Sequence, residues 1–311
     1  MKNVWKESIY LQRENLAREL KEPMEALARV CAPAWPDREK LNAVLEKGFF
    51  SIPHCTFAYC VDLNSVQISD NFNENGLYPG QFGRDRASRP YMREPMPVWG
   101  FLLSDAYVSM QNHRPSLTAL TAVRDGENWL GYLGADFDLR NLPVTGELYR
   151  EPAYWRQIKG DPAIRGTVFD QCRVESPLDK NKENFISVLT ELIADRGVFQ
   201  CQIHFSSSQA VIWTVKDPFR YRLLDQEALT DPDICLLYPL ESYPLQASIP
   251  KSDIEQILKV MYALRVTDPT IYLRLGSINI FNGMISLTFS CDGTHYMSHV
   301  EFLMKDIGFW F

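Results

Sequence analysis

The sequence predicts an α+β fold with two domains, in which helices and antiparallel strands are segregated along the chain rather than alternating. An amphipathic stretch opens the chain, short strand-like runs separated by turns follow it, and the second half has helices and strands of its own. A length of 311 residues is enough for about two domains of ordinary size. With 46% hydrophobic and 23% charged residues, the composition is globular, which excludes the collagenous and disordered classes.

The first predicted element is a long amphipathic helix over residues 6–31. Its apolar residues recur at spacings of three, four or seven, the pattern of a helix with one buried face; they are Ile9, Leu16, Leu20, Met24, Leu27 and Cys31. Pro23 lies inside this stripe and predicts a kink or a restart of the helix. The helix either packs on its own domain or forms a homodimer with a second copy.

Four strand-like runs follow the helix, at residues 55–63, 99–110, 117–123 and 129–139. The Asp-Gly-Glu-Asn segment at 125–128 separates the last two and predicts a hairpin. Between the first and second runs, residues 71–97 form a long irregular stretch rich in Gly, Pro, Asn and Arg. Structureless loops of this length are uncommon in compact domains and are often functional, so we expect a site there.

Loop-forming residues between Asn141 and Pro162 indicate a boundary, which gives a first domain over 1–145 and a second over 146–311. In the second domain, Ser176 before Pro177 predicts the start of a helix that continues to a stop at Gly197. Its buried stripe contains Phe185, Val188, Leu189, Leu192 and Ile193.

A second helix in this domain is predicted to begin at a capping box formed by Ser252 and Glu255. Strict alternation of apolar and polar residues over 199–205 and 285–291 predicts strands with one buried face. The second domain is therefore also mixed α+β, and its role is left open.

Charge and hydropathy exclude several classes of partner. The net charge is −7 and the longest basic concentration is three arginines in residues 84–89, so we expect no nucleic-acid binding. No apolar run approaches the roughly 18 residues that cross a bilayer, so no membrane span is expected. Seven scattered cysteines without a CxxC pair predict reduced thiols and a cytoplasmic location.

Common cofactor and hydrolase motifs are absent, so we expect no cofactor and a protein that is not an enzyme. Cys201 with His204 and Cys291 with His295 would suit zinc. However, residues three apart on a strand point to opposite faces, so no metal site is expected. An enzymatic site in the second domain stays open around a polar group near the C-terminus: Asn279, Asn282, Asp292, His295 and His299.

The loop itself carries the most suggestive chemistry. Arg84, Arg86, Arg89 and Tyr91 lie within eight residues, between glycine and proline residues that restrict the backbone. A guanidinium presents a planar fork that suits a carboxylate, and a phenol can donate to the same oxygen. A solvated, salt-bridged loop would have the same composition.

Three segments, in this order, resemble the Cache/PDC family of sensor domains. They are Gly-Arg-Asp-Arg-Ala-Ser-Arg-Pro-Tyr-Met at 83–92, Leu-Ser-Asp-Ala-Tyr-Val-Ser at 103–109 and Leu-Gly-Tyr-Leu-Gly-Ala-Asp-Phe-Asp-Leu at 130–139. The resemblance covers residues 5–142, and the second half resembles no family.

The resemblance implies a long N-terminal helix and a PAS-like antiparallel sheet whose face and covering loops enclose a small ligand. It also implies that Arg89 and Tyr91 hold a ligand carboxylate and that Asp136 faces an amino group, with Arg86 and Tyr107 as further candidates from their positions. Amino-acid-binding members favour Trp-Tyr after the proline, whereas Tyr91-Met92 stands here, which favours a simple carboxylate. Asp136 also lies in an apolar strand, where a carboxylate is costly without a partner.

Together these features predict a soluble sensor that binds a small carboxylate or amino acid. Members of the family usually lie between transmembrane helices and are joined to an output module, and this sequence shows neither. The signal is therefore expected to pass through a partner in trans or through the second domain. The alternative is an interaction protein with a vestigial pocket, which docks through the helix at 6–31 and the second domain.

Overall fold

A computed structural model describes residues 4–93, 98–145, 149 and 172–310. The chain divides into two compact units, unit 1 with residues 1–109 and 115–148, and unit 2 with residues 110–114 and 149–311. Both units combine helices with an antiparallel sheet, so the α+β fold class predicted from the sequence is confirmed. Most of the predicted boundary, residues 146–148 and 150–162, and the end of the predicted loop, residues 94–97, lie outside the described residues.

Unit 1 begins with two helices, α1 (Val4–Cys31) and α2 (Arg38–Gly48). All six residues of the predicted apolar stripe of α1 are buried, so the amphipathic helix is confirmed. The helix continues through Pro23 as one element, so the predicted restart does not occur. Asp37 caps α2, because its side chain accepts hydrogen bonds from the backbone of Glu39 and Lys40. In the described part of the chain, no helix is both long and apolar enough to span a membrane.

The sheet of unit 1 is antiparallel and PAS-like, with the strand order β3-β2-β1-β7-β6-β4 and β5 paired to β6. Its strands are β1 (Phe57–Asp62), β2 (Asn71–Asn73), β3 (Gly76–Tyr78), β4 (Phe101–Leu103), β5 (Tyr107–Val108), β6 (Pro115–Asp125) and β7 (Asn128–Asp138). Asp125 pairs with Asn128, which confirms the predicted hairpin. The stretch predicted to be irregular contains the β2–β3 hairpin, and Gly76, the first residue of β3 after the turn, has a φ of 100° that favours glycine.

The two faces of this sheet have different roles. Cys60 on β1 lies 4.0 Å, sulfur to sulfur, from Cys31 at the end of α1, so α1 covers the face that Cys60 shares. Successive residues of a strand point to opposite faces, and residues paired across strands share a face. Tyr59 pairs with Gly134, and Thr118 with Asp136, so these residues lie on the face away from α1.

Unit 2 contains a six-stranded antiparallel sheet with the order β10-β9-β8-β11-β12-β13. Its strands are β8 (Val198–His204), β9 (Gln209–Thr214), β10 (Asp217–Leu224), β11 (Leu273–Asn279), β12 (Met284–Phe289) and β13 (Thr294–Ser298). Its helices are α3 (Pro177–Lys180), α4 (Lys182–Asp195), α5 (Gln226–Thr230), α6 (Ile254–Val266) and α7 (His299–Met304). Both strands predicted by alternation are present.

Two predicted helix starts in unit 2 need correction. Ser176 does cap a helix, but α3 is a single turn, and Asn181 interrupts the helical conformation before α4 begins. The capping box predicted at Ser252 is wrong, because a 3-10 turn over Lys251–Asp253 leads into α6 and no side chain caps it. Instead, the Ser252 hydroxyl donates to the side chain of Asp253.

The architecture of unit 2 is repeated within the chain. The order helix, three strands, helix occurs once from α4 to α5 and again from α6 to α7. The two copies meet through the first strand of each, since β8 pairs antiparallel with β11 at the centre of the sheet. Gln202 pairs with Ser277 at the middle of this ladder.

Candidate functional site

The candidate site of unit 1 depends on the backbone hydrogen bonds that hold the arginine-containing loop in place. Residues 83–86 run beside residues 65–67 and form three backbone hydrogen bonds with them. The amide of Arg86 donates to the carbonyl of Ser65 over 2.8 Å, which fixes where the Arg86 side chain leaves the loop. Gln67 is fully buried, and its amide nitrogen donates to Ser69 and Asn71, so its oxygen faces the arginine.

The guanidinium of Arg86 fills this acceptor site. Its Nε and Nη2 atoms donate to Gln67 Oε1 over 2.8 and 2.6 Å, and Nη2 also reaches Asn71 Oδ1 at 3.3 Å. Nη1 donates to the hydroxyl of Tyr91 over 2.9 Å, and the guanidinium carbon lies 3.8 Å from the ring centre of Tyr59. Burial opposes the charge, but Tyr59, Tyr91 and Asp136 outweigh it and raise the pKa of Arg86.

A second group of contacts surrounds Asp136, and we call Asp136, Tyr59, Tyr91, Tyr107 and Thr118 the Asp136 cluster. The Tyr59 hydroxyl and the Thr118 hydroxyl both donate to Asp136 Oδ1, over 2.8 and 2.7 Å. The Tyr59 and Tyr91 hydroxyls lie 3.0 Å apart, and those of Tyr107 and Thr118 lie 2.6 Å apart. Asp136 is only half-buried, and no described residue donates a hydrogen bond to its Oδ2.

The phenols of the cluster stay protonated over a wide pH range. Burial and then the charge of Asp136 raise the pKa of Tyr59 and Tyr107 well above their usual value. The same two causes raise the pKa of Tyr91, although the nearby Arg86 charge opposes them. The phenols are therefore hydrogen-bond donors rather than anions at neutral pH.

Arg89 stands apart from this network. It precedes a 3-10 turn, Pro90–Met92, whose first position is a proline and whose Tyr91 points into the cluster. Arg89 is only 8% exposed as a residue, yet its side chain makes no hydrogen bond or ion pair with any described residue, and its guanidinium nitrogens are not fully buried. The charges of Arg89 and Arg86, after burial, lower the pKa of Arg84, so three cations lie close together.

The remaining surface beside the cluster is aromatic. Tyr91 packs with Leu120 and Tyr132, and these three residues are in turn contacted by Met92, Leu102, Tyr107 and Trp129. The rings of Tyr91 and Tyr107 are 5.6 Å apart, and those of Trp129 and Tyr132 are 5.3 Å apart. An apolar group next to Asp136 would therefore meet ring faces and edges.

Four of the five predicted site residues thus come together in one hydrogen-bonded network: Arg86, Tyr91, Tyr107 and Asp136. Arg89 lies near them but takes no part in it. Their direct contact with a ligand stays a prediction. Sequence reasoning missed Tyr59, Thr118, Gln67 and Asn71, and only the pairing of β1 and β6 with β7 could have revealed the first two.

The polar residues near the C-terminus, which were considered for an enzymatic site, do not form a network like the Asp136 cluster. Asn279 Oδ1 accepts from the backbone of Phe281 and Asn282, and Asn282 Oδ1 accepts from that of Met284, so both side chains build the β11–β12 turn. Asp292 and His295 form an exposed pair at 3.0 Å. In the described residues, no His, Cys, Asp and Glu side chains group as metal ligands.

Comparison of this chain with known proteins found partial structural likeness and no sequence match. No protein-family profile and no curated protein sequence matches this chain. Solved structures with partial likeness include an extracellular ligand-binding receptor from Desulfohalobium retbaense, at 14% identity over 44% of this chain and 26% of that one, with a TM-score of 0.35. The ligand-binding domain of the Pseudomonas fluorescens chemoreceptor CtaA with L-valine shares 18% identity over 44% of this chain and 63% of its own, with a TM-score of 0.31.

The ligand-binding domain of the Campylobacter jejuni chemoreceptor Tlp3 with 4-methylisoleucine is 14% identical over 47% of this chain and 66% of its own, with a TM-score of 0.34. This chain therefore spans from about a quarter to two thirds of the length of these structures. TM-scores of this size carry no weight for the function of the chain.

Proposed function

We propose that unit 1 is a sensor that binds a small carboxylate or amino acid on the Asp136 face of its sheet. The observation that carries the proposal is Arg89, which is only 8% exposed as a residue, whereas its guanidinium nitrogens are not fully buried and have no partner among the described residues. Such a guanidinium is available to an anionic ligand, and charge-assisted hydrogen bonds between the two are strong. A non-enzymatic role is part of the proposal.

The site has a side chain of opposite charge for each charged group of an amino acid ligand. The fork of Arg89 would take the carboxylate through two parallel hydrogen bonds. The open Oδ2 of Asp136 would take an ammonium group where the ligand has one. The aromatic surface around Tyr91 and Tyr132 suits an aliphatic or aromatic side chain.

Signalling would follow from a shift between two arrangements of the loop. Arg86 and Tyr91 already fix part of the loop to the sheet, whereas Arg89 has no such contact. A ligand that bridges Arg89 and Asp136 would favour the arrangement in which both groups face it. Only a difference in affinity between the two arrangements can transmit a signal.

The finer parts of the proposal concern partners and location. The signal would reach a protein partner in trans or unit 2, and α1 would serve as a dimer contact in a homodimer. A cytoplasmic location is supported by the seven cysteines, which are scattered along the sequence and include no CxxC pair.

The test is isothermal titration calorimetry with short carboxylates, amino acids and amines, with Arg89→Ala as the variant. Loss of hydrogen bonds to a charged group costs about 1.5–3 kcal/mol, so affinity for the true ligand should fall roughly tenfold to hundredfold. Arg93→Ala is the matched control, since it removes the same charge from an exposed position four residues away. Unchanged binding in Arg89→Ala would refute the site.

An interaction protein is the second candidate, and one observation favours it. A groove of about 410 Å³ lies between α1 and α2 and has an apolar lining that includes Leu27, Val30 and Val44. If no member of the panel binds to the folded protein, the Asp136 face is a packed remnant and the docking role is preferred.

A further inference from the structure

Tyr59 is held by contacts on both faces of its ring. Its side chain is fully buried on β1, and its ring lies across Gly134 of β7. A Cβ atom at position 134 would lie 2.6 Å from a carbon of that ring, closer than real contacts allow. Arg86 covers the ring at 3.8 Å, so the ring is held from both sides.

The hydroxyl protons of the cluster can be ordered in only one way. Tyr59 has a single proton but two neighbours, Asp136 Oδ1 and the Tyr91 oxygen. The carboxylate brings no proton, so Tyr59 donates to Asp136 and the proton between the two phenols comes from Tyr91. Tyr91 in turn accepts a hydrogen bond from Arg86. The hydrogen bonds therefore run in one direction, from Arg86 through Tyr91 and Tyr59 to Asp136, and each has one donor and one acceptor.

A second chain of hydrogen bonds ends on the same atom. Thr118 gives its single proton to Asp136 Oδ1, so the 2.6 Å contact with Tyr107 must be a donation from Tyr107 to Thr118. Two directed chains therefore converge on Oδ1 and hold the carboxylate in one orientation. The atom left for a ligand is Oδ2.

We propose that Tyr59 is a positioning residue that, together with Thr118, makes the site select ligands with a protonated amine. This inference rests on the proposed function, because it concerns the same binding site. Oδ1 is already occupied by two donors, and the fixed carboxylate directs Oδ2 toward a cationic donor. Gly134 is the position that permits this arrangement, since any side chain there would displace the Tyr59 ring.

Calorimetry with three probes tests this proposal: L-leucine, 4-methylpentanoate, which lacks only the amine, and 3-methylbutylamine, which lacks only the carboxylate. Tyr59→Phe removes the hydroxyl and keeps the ring between Gly134 and Arg86. Because it removes one hydrogen bond to a charged group, it should weaken binding of the two amines roughly tenfold. Binding of 4-methylpentanoate should stay within about twofold of the wild type.

Tyr78→Phe is the control. Tyr78 lies on β3 of the same unit and is exposed, and its hydroxyl makes no hydrogen bond with the described residues. It should leave all three affinities unchanged. Thr118→Val, which removes the second donor at constant size, should reproduce the pattern of Tyr59→Phe.

Each other result has a definite meaning. An equal loss for all three probes in Tyr59→Phe would show a general structural role, and no loss for any probe would show that Tyr59 has no role; either overturns the inference. Binding of 4-methylpentanoate alone to the wild type overturns it as well and leaves a carboxylate sensor. Binding of none of the probes removes both the inference and an amino-acid form of the proposed function.

Discussion

Replacing Arg86 and Arg89 by Met, one at a time, should change the stability of the free protein by very different amounts. Both side chains are more than nine-tenths buried and lie three residues apart on one loop. Arg86 donates to three buried acceptors, on Gln67, Asn71 and Tyr91, whereas Arg89 has no partner among the described residues. The same substitution therefore removes a charge with several hydrogen-bond partners at one position and a charge without a partner among the described residues at the other.

The magnitudes follow from these contacts. A buried polar group that loses its partner costs about 1–3 kcal/mol. Arg86→Met leaves Gln67 Oε1 without a donor and removes one of the two contacts of Asn71 Oδ1 and of the Tyr91 hydroxyl, so it should lower the free energy of unfolding by about 3 kcal/mol. At roughly 2–4 °C per kcal/mol, Tm should fall by about 6–12 °C. Arg89→Met breaks no hydrogen bond or ion pair with the described residues, and the Arg89 guanidinium nitrogens are not fully buried, so it should change the free energy of unfolding by less than about 1 kcal/mol.

Urea unfolding followed by circular dichroism would measure both changes by linear extrapolation to water. Arg84→Met is the control, because Arg84 is half-buried on the same loop and its side chain makes one hydrogen bond, to the side chain of Gln81. It should change stability by less than about 1 kcal/mol. A destabilising effect of Arg89→Met similar to that of Arg86→Met would refute the claim that Arg89 is unpaired.

Two more predictions concern the phenols and unit 2. The pKa of Tyr107 is higher in the folded protein than its unfolded value of about 10, so its contribution to stability is complete below pH 10 and is lost as the pH rises further. Above pH 10 the free energy of unfolding should therefore fall less steeply in Tyr107→Phe than in the wild type, by up to about 1.4 kcal/mol per pH unit. Urea unfolding from about pH 9 to 11 measures this difference. In unit 2, Arg265 and Asp179 form an ion pair with side chains 0% and 2% exposed, and Arg265→Met should lower the unfolding free energy by about 3–5 kcal/mol. A change below about 1 kcal/mol would contradict that, and the double variant with Asp179→Leu should recover part of the loss.

The fold class could be predicted because it depends on patterns within short segments. The stripe of α1 and the alternation in the strands are local, and both are confirmed. Helix ends proved harder, because Ser252 has a capping sequence but the preceding turn directs its hydroxyl to Asp253 instead. The hairpin inside the predicted loop had a local signal, Asn75-Gly76, that the composition of the loop obscured.

The candidate site could be predicted only in part, for a different reason. Arg86, Arg89 and Tyr91 belong to one motif, so their proximity follows from the sequence. Tyr59 and Asp136 are 77 residues apart, and their contact depends on the register between β1 and β7. That register is set by packing over the whole sheet, and a single strand carries no mark of it.

The repeated architecture of unit 2 gives it the character of a dimer within one chain. Either copy alone would leave its first strand, β8 or β11, with an open edge that favours pairing with another molecule. Here each copy covers the edge of the other across a two-fold arrangement, much as two identical subunits do in a symmetric dimer. Because residues 231–253 join the copies covalently, this association is intramolecular and does not depend on protein concentration.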